Sequence, residues 1–241
     1  LAVMTPLQIV LGDAHGLNTL AHQPAKVAAM EGLWDTSAPA PSVLIAWPDQ
    51  QAQANRWEVA VPALASLYLT HSWTGEVRGL KSFPREDQPP VAIVFFAFRI
   101  MVGIGVLMLA VAWWGAWLAW RGRLAQSPGF LRVAQWMLPS GFVAVLAGWT
   151  VTEVGRQPWT VYGLLRTADS VSPTLSTIDV GLSLLAYATV YAVVYAAAGY
   201  YLVKLVRHGP AEAPPPGASA RPARPLSAPT LPFDAEAPHG D

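Results

Sequence analysis

The sequence predicts an all-α integral membrane protein, with three full transmembrane helices, a truncated helix at the start and an extramembrane loop region. The 241 residues are 53% hydrophobic and only 12% charged, include 11 tryptophans and carry a formal net charge of zero. This composition is typical of a membrane protein and not of a soluble domain of this size. Apolar runs of membrane-spanning length lie between residues 91 and 206.

Composition also excludes several classes of function. With no net positive charge, nucleic acid is not an expected partner. The chain has no cysteine, so it forms neither disulfides nor thiolate metal sites. It opens Leu1-Ala2-Val3-Met4 without an initiating methionine or a basic signal region, so we expect a piece of a longer protein.

The first part of the chain is interpreted as two regions. Residues 1–11 are apolar but too few to cross a bilayer, which needs about 20, and we interpret them as the tail of a truncated transmembrane helix. Turn-forming residues predict a break over 12–16, followed by a short helix over 18–34 that carries Lys26 and Glu31.

Residues 12–90 together form the predicted extramembrane loop region. Strand-like runs occur at 43–47 and 57–61, on either side of a polar stretch. A mixed-charge, proline-containing segment over 81–90 then leads to the first long apolar run. We expect this excursion to have little regular structure.

The three full spans are predicted over 91–120, from 130 to about 154, and from about 182 to 206, within a membrane region of 91–208. Residues 209–241 are rich in proline and alanine and are expected to be a disordered tail. Positive charges are divided equally between the two membrane faces and do not assign the orientation. They are Arg121, Arg123, Arg132, Lys204 and Arg207 on one face, and Arg78, Lys81, Arg85, Arg156 and Arg166 on the other.

Polar side chains converge at one end of the predicted bundle. The short loop between the first two spans makes them antiparallel, so the start of the first span, with Arg99 and Met101, meets the end of the second. That end carries Trp149, Glu153 and Arg156. An acid and a base at the end of an apolar run indicate a functional site by default.

Three motifs in this region identify a family. They are Glu153 ahead of Gly155-Arg156-Gln157-Pro158-Trp159, then Arg99-Ile100-Met101-Val102-Gly103, and the Gly12–Gly16 stretch that leads to Gln23–Glu31. From Leu1 to about His208 the sequence resembles the carboxy-terminal half of subunit I of the cytochrome bd-type quinol oxidases, in the form with a short quinol loop. By this resemblance, residues 12–90 are the quinol-binding loop region and 91–208 bind haem.

The resemblance implies roles for five side chains. Met101 would be an axial ligand of the low-spin haem b iron, and Glu153 the ligand of the high-spin haem b iron. Arg99 and Arg156 would bind haem propionates, and Trp149 would pack against the haems. From spacing alone, a core methionine, a structural ion pair and a snorkelling arginine are the alternative interpretations of these residues.

The resemblance also implies a quinol site at Lys26 and Glu31. Quinol loses two protons with its two electrons, so a carboxylate within reach of a hydroxyl is a suitable acceptor. Without the resemblance, the same pair is the solvated face of an amphipathic helix.

The whole complex would oxidise quinol, reduce dioxygen to water and separate charge across the bacterial cytoplasmic (inner) membrane, as a multi-pass protein in the lipid bilayer. Its partners would be a second membrane subunit and the missing amino-terminal half of subunit I. That half would supply the ligand of haem d or of a third haem b, because none is identifiable here, and this fragment alone would be inactive.

One interpretation from another class stays open. In a cofactor-free membrane transporter or an assembly-subunit fragment, Glu153 and Arg156 would be a structural ion pair. A transporter built from inverted repeats should show a second span broken by Gly or Pro that matches the first, and no such span is visible in the sequence.

Overall fold

The structure is a computed structural model that describes residues 1–172 and 174–209. Most of the tail predicted to be disordered, residues 210–241, lies outside the described residues. The chain divides into one compact unit over residues 1–172 and a second that begins at residue 173. The two units are described separately.

Helix α1 runs over Met4–His22 and passes through the turn predicted for residues 12–16. The predicted break there is wrong, because each glycine inside a helix costs only about 1 kcal/mol and neighbouring residues keep the helical conformation. Helix α1 instead ends before Pro24, since proline disfavours helical geometry in the residue ahead of it. The interpretation of residues 1–11 as a truncated transmembrane helix stays a prediction.

Helix α2 runs over Pro24–Glu31, with proline in its first turn, where a missing N–H group costs nothing. Six of its eight residues are buried, so it is not a solvated amphipathic helix. It ends at Gly32, which has a left-handed φ of 67°. A Cβ atom at Gly32 would lie 2.9 Å from the ring of Phe95.

The loop region beyond α2 is more regular than we expected. Strands β1 (Ser42–Asp49) and β2 (Ala54–Val61) pair antiparallel and contain the two predicted strand-like runs. Helix α3 (Leu64–Thr70) follows and was not predicted. Two short 3₁₀ turns over 80–82 and 85–87 complete the region.

The predicted spans are present as helices. Helix α4 covers Val91–Trp120, as expected. The second span is interrupted, with α5 over Pro128–Trp136 and α6 over Ser140–Val154, because Pro139 lacks the N–H group that a continuous helix needs. Among the described residues, three helical segments are long and apolar enough to cross a membrane: Arg85–Trp120, Pro128–Val154 and Thr177–His208.

Beyond α6, strands β3 (Trp159–Val161) and β4 (Leu165–Arg166) form a small hairpin. In the second unit, α7 runs over Thr177–His208 and starts earlier than the predicted residue 182. Ser176 and Asp179 form a reciprocal capping box that satisfies backbone N–H groups at its start. The spacing of Ser176 and Asp179 ahead of the apolar run is the sequence signal that indicates this earlier start.

Helix α2 lies between two apolar clusters. Val27 packs in a cluster with Val43 of β1 and Phe95 of α4. The neighbouring alanines, Ala28 and Ala29, pack in a second cluster that includes Val151 of α6. The loop, the start of α4 and the end of α6 therefore meet, which confirms the predicted convergence.

We predict that Gly32→Ala destabilises the protein by about 1–3 kcal/mol. The left-handed φ strains any residue with a Cβ atom, and the new methyl group would press on Phe95. Thermal unfolding in detergent should show a lowered midpoint. Gly16→Ala in α1 is the matched control, because a Cβ atom there meets nothing within 4 Å; an equal loss in both variants would contradict this account.

Candidate functional site

Glu31 is the most deeply buried acid at the convergence, with 2% of its surface exposed. Its Oε2 atom accepts hydrogen bonds from the hydroxyl of Tyr68 at 2.6 Å and from Nη2 of Arg99 at 3.3 Å. Burial raises the pKa of Glu31, and Arg99 and Tyr68 only partly oppose that effect. A buried acid whose pKa is raised is a candidate proton acceptor.

Arg99 connects the start of α4 to the loop. Its Nε donates to the carbonyl of Val43 at 2.9 Å, and its Nη1 donates to the carbonyl of Met30 at 2.8 Å. The guanidinium also lies 4.4 Å from the ring centroid of Phe95. Its hydrogen-bond partners here are therefore loop groups, and the binding of a haem propionate by Arg99 stays a prediction.

Tyr68 joins the site from α3 and was missed in the sequence. Its hydroxyl lies 3.1 Å from Oγ of Ser42 on β1. Tyr68 is 37 residues from Glu31 along the chain, and no local spacing relates the two. Only the fold of the loop brings them together.

Lys26 connects α2 to the end of α6. Its Nζ donates to the carbonyl of Thr152 at 3.3 Å, and only 9% of the residue is exposed. Burial lowers the pKa of Lys26 and the charge of Arg156 lowers it further, against an opposing effect of Glu153. The side chain runs close over Gly155, where a Cβ atom would lie 3.1 Å from it.

Glu153 and Arg156 form an ion pair at the end of α6, three residues apart. Both side chains are partly exposed. Within the described residues, Nε of Arg156 is buried and has no hydrogen-bond partner. Helix α6 extends to Val154, so Trp149 and Glu153, four residues apart, share one helical face, whereas Arg156 lies beyond the helix.

Met101 and Trp149 lie on the two facing helices. A Cβ atom at Gly148 of α6 would lie 2.8 Å from Sδ of Met101 on α4, so glycine leaves room for the thioether. Trp149 next to it is 64% exposed. The exposed indole gives this end of α6 an open apolar surface.

The comparisons identify the family. The family model described as cytochrome bd terminal oxidase subunit I matches residues 1–210. The chain belongs to this family. The family implies haem cofactors.

Two curated relatives agree with this assignment. The chain is 35% identical over 208 residues to cytochrome bd ubiquinol oxidase subunit 1 of Bacillus subtilis, covering 82% of this chain and 44% of the relative. It is 31% identical over 276 residues to cytochrome bd-II ubiquinol oxidase subunit 1 of Escherichia coli, covering 87% and 53%. The chain thus spans about half the length of the curated relatives it matches.

A solved structure agrees with the fold. The bd oxidase from Geobacillus thermodenitrificans matches with a TM-score of 0.72 and 27% identity, over 87% of this chain and 48% of that chain. The predicted helical membrane fold of a cytochrome bd subunit I is confirmed.

The raised pKa of Glu31 predicts a pH dependence of stability. The protonated carboxyl of Glu31 adds to the free energy of unfolding. This contribution is fully present below the ordinary glutamate pKa of 4.5 and is lost as the pH rises through the higher pKa of the folded state. The midpoint of thermal unfolding of the parent should therefore fall across that range, and Glu31→Gln should reduce the fall. Equal slopes in parent and variant would contradict the assigned pKa direction.

Proposed function

We propose that the chain forms the carboxy-terminal half of subunit I of a cytochrome bd-type oxidase in the bacterial cytoplasmic membrane. The complex oxidises quinol, reduces dioxygen to water and separates charge across the membrane. The family match and the relatives named ubiquinol oxidase subunits support this proposal. The remainder of subunit I and a second membrane subunit are the expected protein partners.

One observation carries the proposal. The two residues assigned to the quinol site lie on a buried helix, and each contacts a membrane-helix end that carries an assigned haem ligand. Glu31 contacts Arg99, two residues before Met101. Lys26 contacts the carbonyl of Thr152, immediately before Glu153. A protein that moves electrons from quinol to haem needs this proximity.

At the quinol site, Glu31 accepts a proton from a quinol hydroxyl. Quinol gives up two protons and two electrons to become quinone, so a proton acceptor must lie beside the hydroxyl. Burial raises the pKa of Glu31, which makes the carboxylate a stronger base than an exposed one. The Lys26 amine, which extends from the same helix α2 as Glu31, orients the quinol oxygens by hydrogen bonding.

The residues present fit haem. A thioether at Met101 and a carboxylate at Glu153 would be suitable ligands of haem iron, and the unpartnered Nε of Arg156 would be a free donor for a propionate. We assign Met101 to the low-spin haem b iron and Glu153 to the high-spin one, with Arg99, Arg156 and Trp149 around them. Bound haem supplies one-electron acceptors. The rest of subunit I would hold haem d or a third haem b.

Among the contacts of the described residues, none favours the alternative of a cofactor-free transporter or assembly-subunit fragment. The Glu153–Arg156 pair is common to both interpretations. Burying a charged group is costly, so the burial of Lys26 and Glu31 supports a functional role for the loop.

We predict that Glu31→Gln and Lys26→Met each lower quinol oxidase activity of the completed complex by about 10²-fold, as expected for loss of an acid–base or orienting group. Oxygen consumption with a short-chain benzoquinol as donor measures this. Lys81→Met is the matched control, because Lys81 pairs with Asp35 at the exposed surface. If the Lys26 and Lys81 variants keep the same activity, the assigned quinol site is wrong.

A further inference from the structure

The two carboxylate oxygens of Glu31 have different surroundings. Oε2 accepts both hydrogen bonds, one from Tyr68 and one from Arg99. Within the described part of the chain, Oε1 accepts none. Oε1 is not among the enclosed side-chain atoms without a partner, so it keeps a small exposed area in a side chain that is otherwise almost fully buried.

The hydroxyl of Tyr68 is itself held in place. A phenol has one hydrogen, and Tyr68 donates it to Glu31. The hydrogen bond between Tyr68 and Ser42, at 3.1 Å, must therefore be donated by Ser42. Ser42 is buried on β1, which pairs with β2. This strand therefore holds Ser42 in place, and the Ser42 hydroxyl restrains Tyr68 in turn.

We propose that Tyr68 is a positioning residue for quinol oxidation: together with Arg99 it holds Oε2 of Glu31, and so presents Oε1 to the quinol hydroxyl. The inference rests on the proposed function, since it assigns Glu31 as the proton acceptor. Tyr68 does not touch the quinol in this arrangement. It acts by fixing which oxygen of Glu31 faces the substrate and by stabilising the carboxylate.

Two titratable groups face Glu31 from the elements packed against α2: Arg99 from α4 and Tyr68 from α3. Both stabilise the charged carboxylate. Removing the Tyr68 hydroxyl therefore raises the pKa of Glu31 further, and a higher pH is needed to keep it deprotonated. A purely structural tyrosine would change stability without moving the pH profile of the reaction.

The test uses the complete complex in membranes, with a short-chain benzoquinol as donor and oxygen consumption as readout. We expect Tyr68→Phe to lower kcat/KM by about tenfold, the effect of one hydrogen bond to a charged group. The acid limb of its kcat/KM–pH profile should move to higher pH. Ser42→Ala should act in the same direction more weakly, because it loosens Tyr68 without removing it.

Thr70→Val is the matched control. Thr70 also lies on α3 and its hydroxyl donates to the carbonyl of Ser66 at 2.7 Å, away from Glu31. This variant should keep the parent profile. The haem absorption of each membrane sample reports assembly, and rates are compared per assembled complex.

The outcomes separate the two proposals. If Glu31→Gln is inactive while Tyr68→Phe and Ser42→Ala keep the parent kcat/KM and acid limb, the role of Tyr68 is refuted and the quinol site stands. If Glu31→Gln keeps full activity, the quinol site itself is refuted and the role of Tyr68 with it. If Thr70→Val shifts the profile as much as Tyr68→Phe, the shift comes from α3 as a whole and the role of Tyr68 is again refuted.

Discussion

The contact on which the rest of the unit depends is that of Arg99 with Glu31 and the loop backbone. One guanidinium on α4 binds the carboxylate of Glu31 and the carbonyls of Met30 and Val43. Hydrogen bonds to a charged group contribute about 1.5–3 kcal/mol each, and a buried acid without its cation costs about 3–5 kcal/mol. Arg99 therefore fixes α2 and β1 against the start of α4, and with them the position of every assigned quinol-site residue.

Two short links connect the loop to the membrane helices. The first passes from Glu31 through Arg99 to the backbone of α4, two residues before Met101. The second passes from Lys26 to the carbonyl of Thr152 on α6, beside Glu153. Because both links use buried polar groups, displacement of α2 would disturb both helix ends at once. This arrangement explains why charged residues are retained in a mainly apolar unit.

The sequence predicted the features that depend on periodicity and length. Helix α4 and the meeting of its start with the end of α6 followed from apolar run length and the short connection between the spans. Prediction from the sequence failed where tertiary packing or a single residue decides the structure. The glycines of α1 did not break the helix, and Pro139 interrupted the second span. Tyr68 could not be found, because its contact with Glu31 joins residues 37 positions apart.

The central claim is that haem ligands lie on α4 and α6 beside the quinol loop, and a reduced-minus-oxidised absorption spectrum of the completed complex tests it most directly. The account predicts that Met101→Leu removes the low-spin haem b signal and that Glu153→Ala perturbs the high-spin component. Met108→Leu, on the same helix with its Cε 3.7 Å from the Cβ position of Gly141, should match the parent. Parent-like spectra for both Met101→Leu and Glu153→Ala would contradict the assignment and favour a structural ion pair at the end of α6.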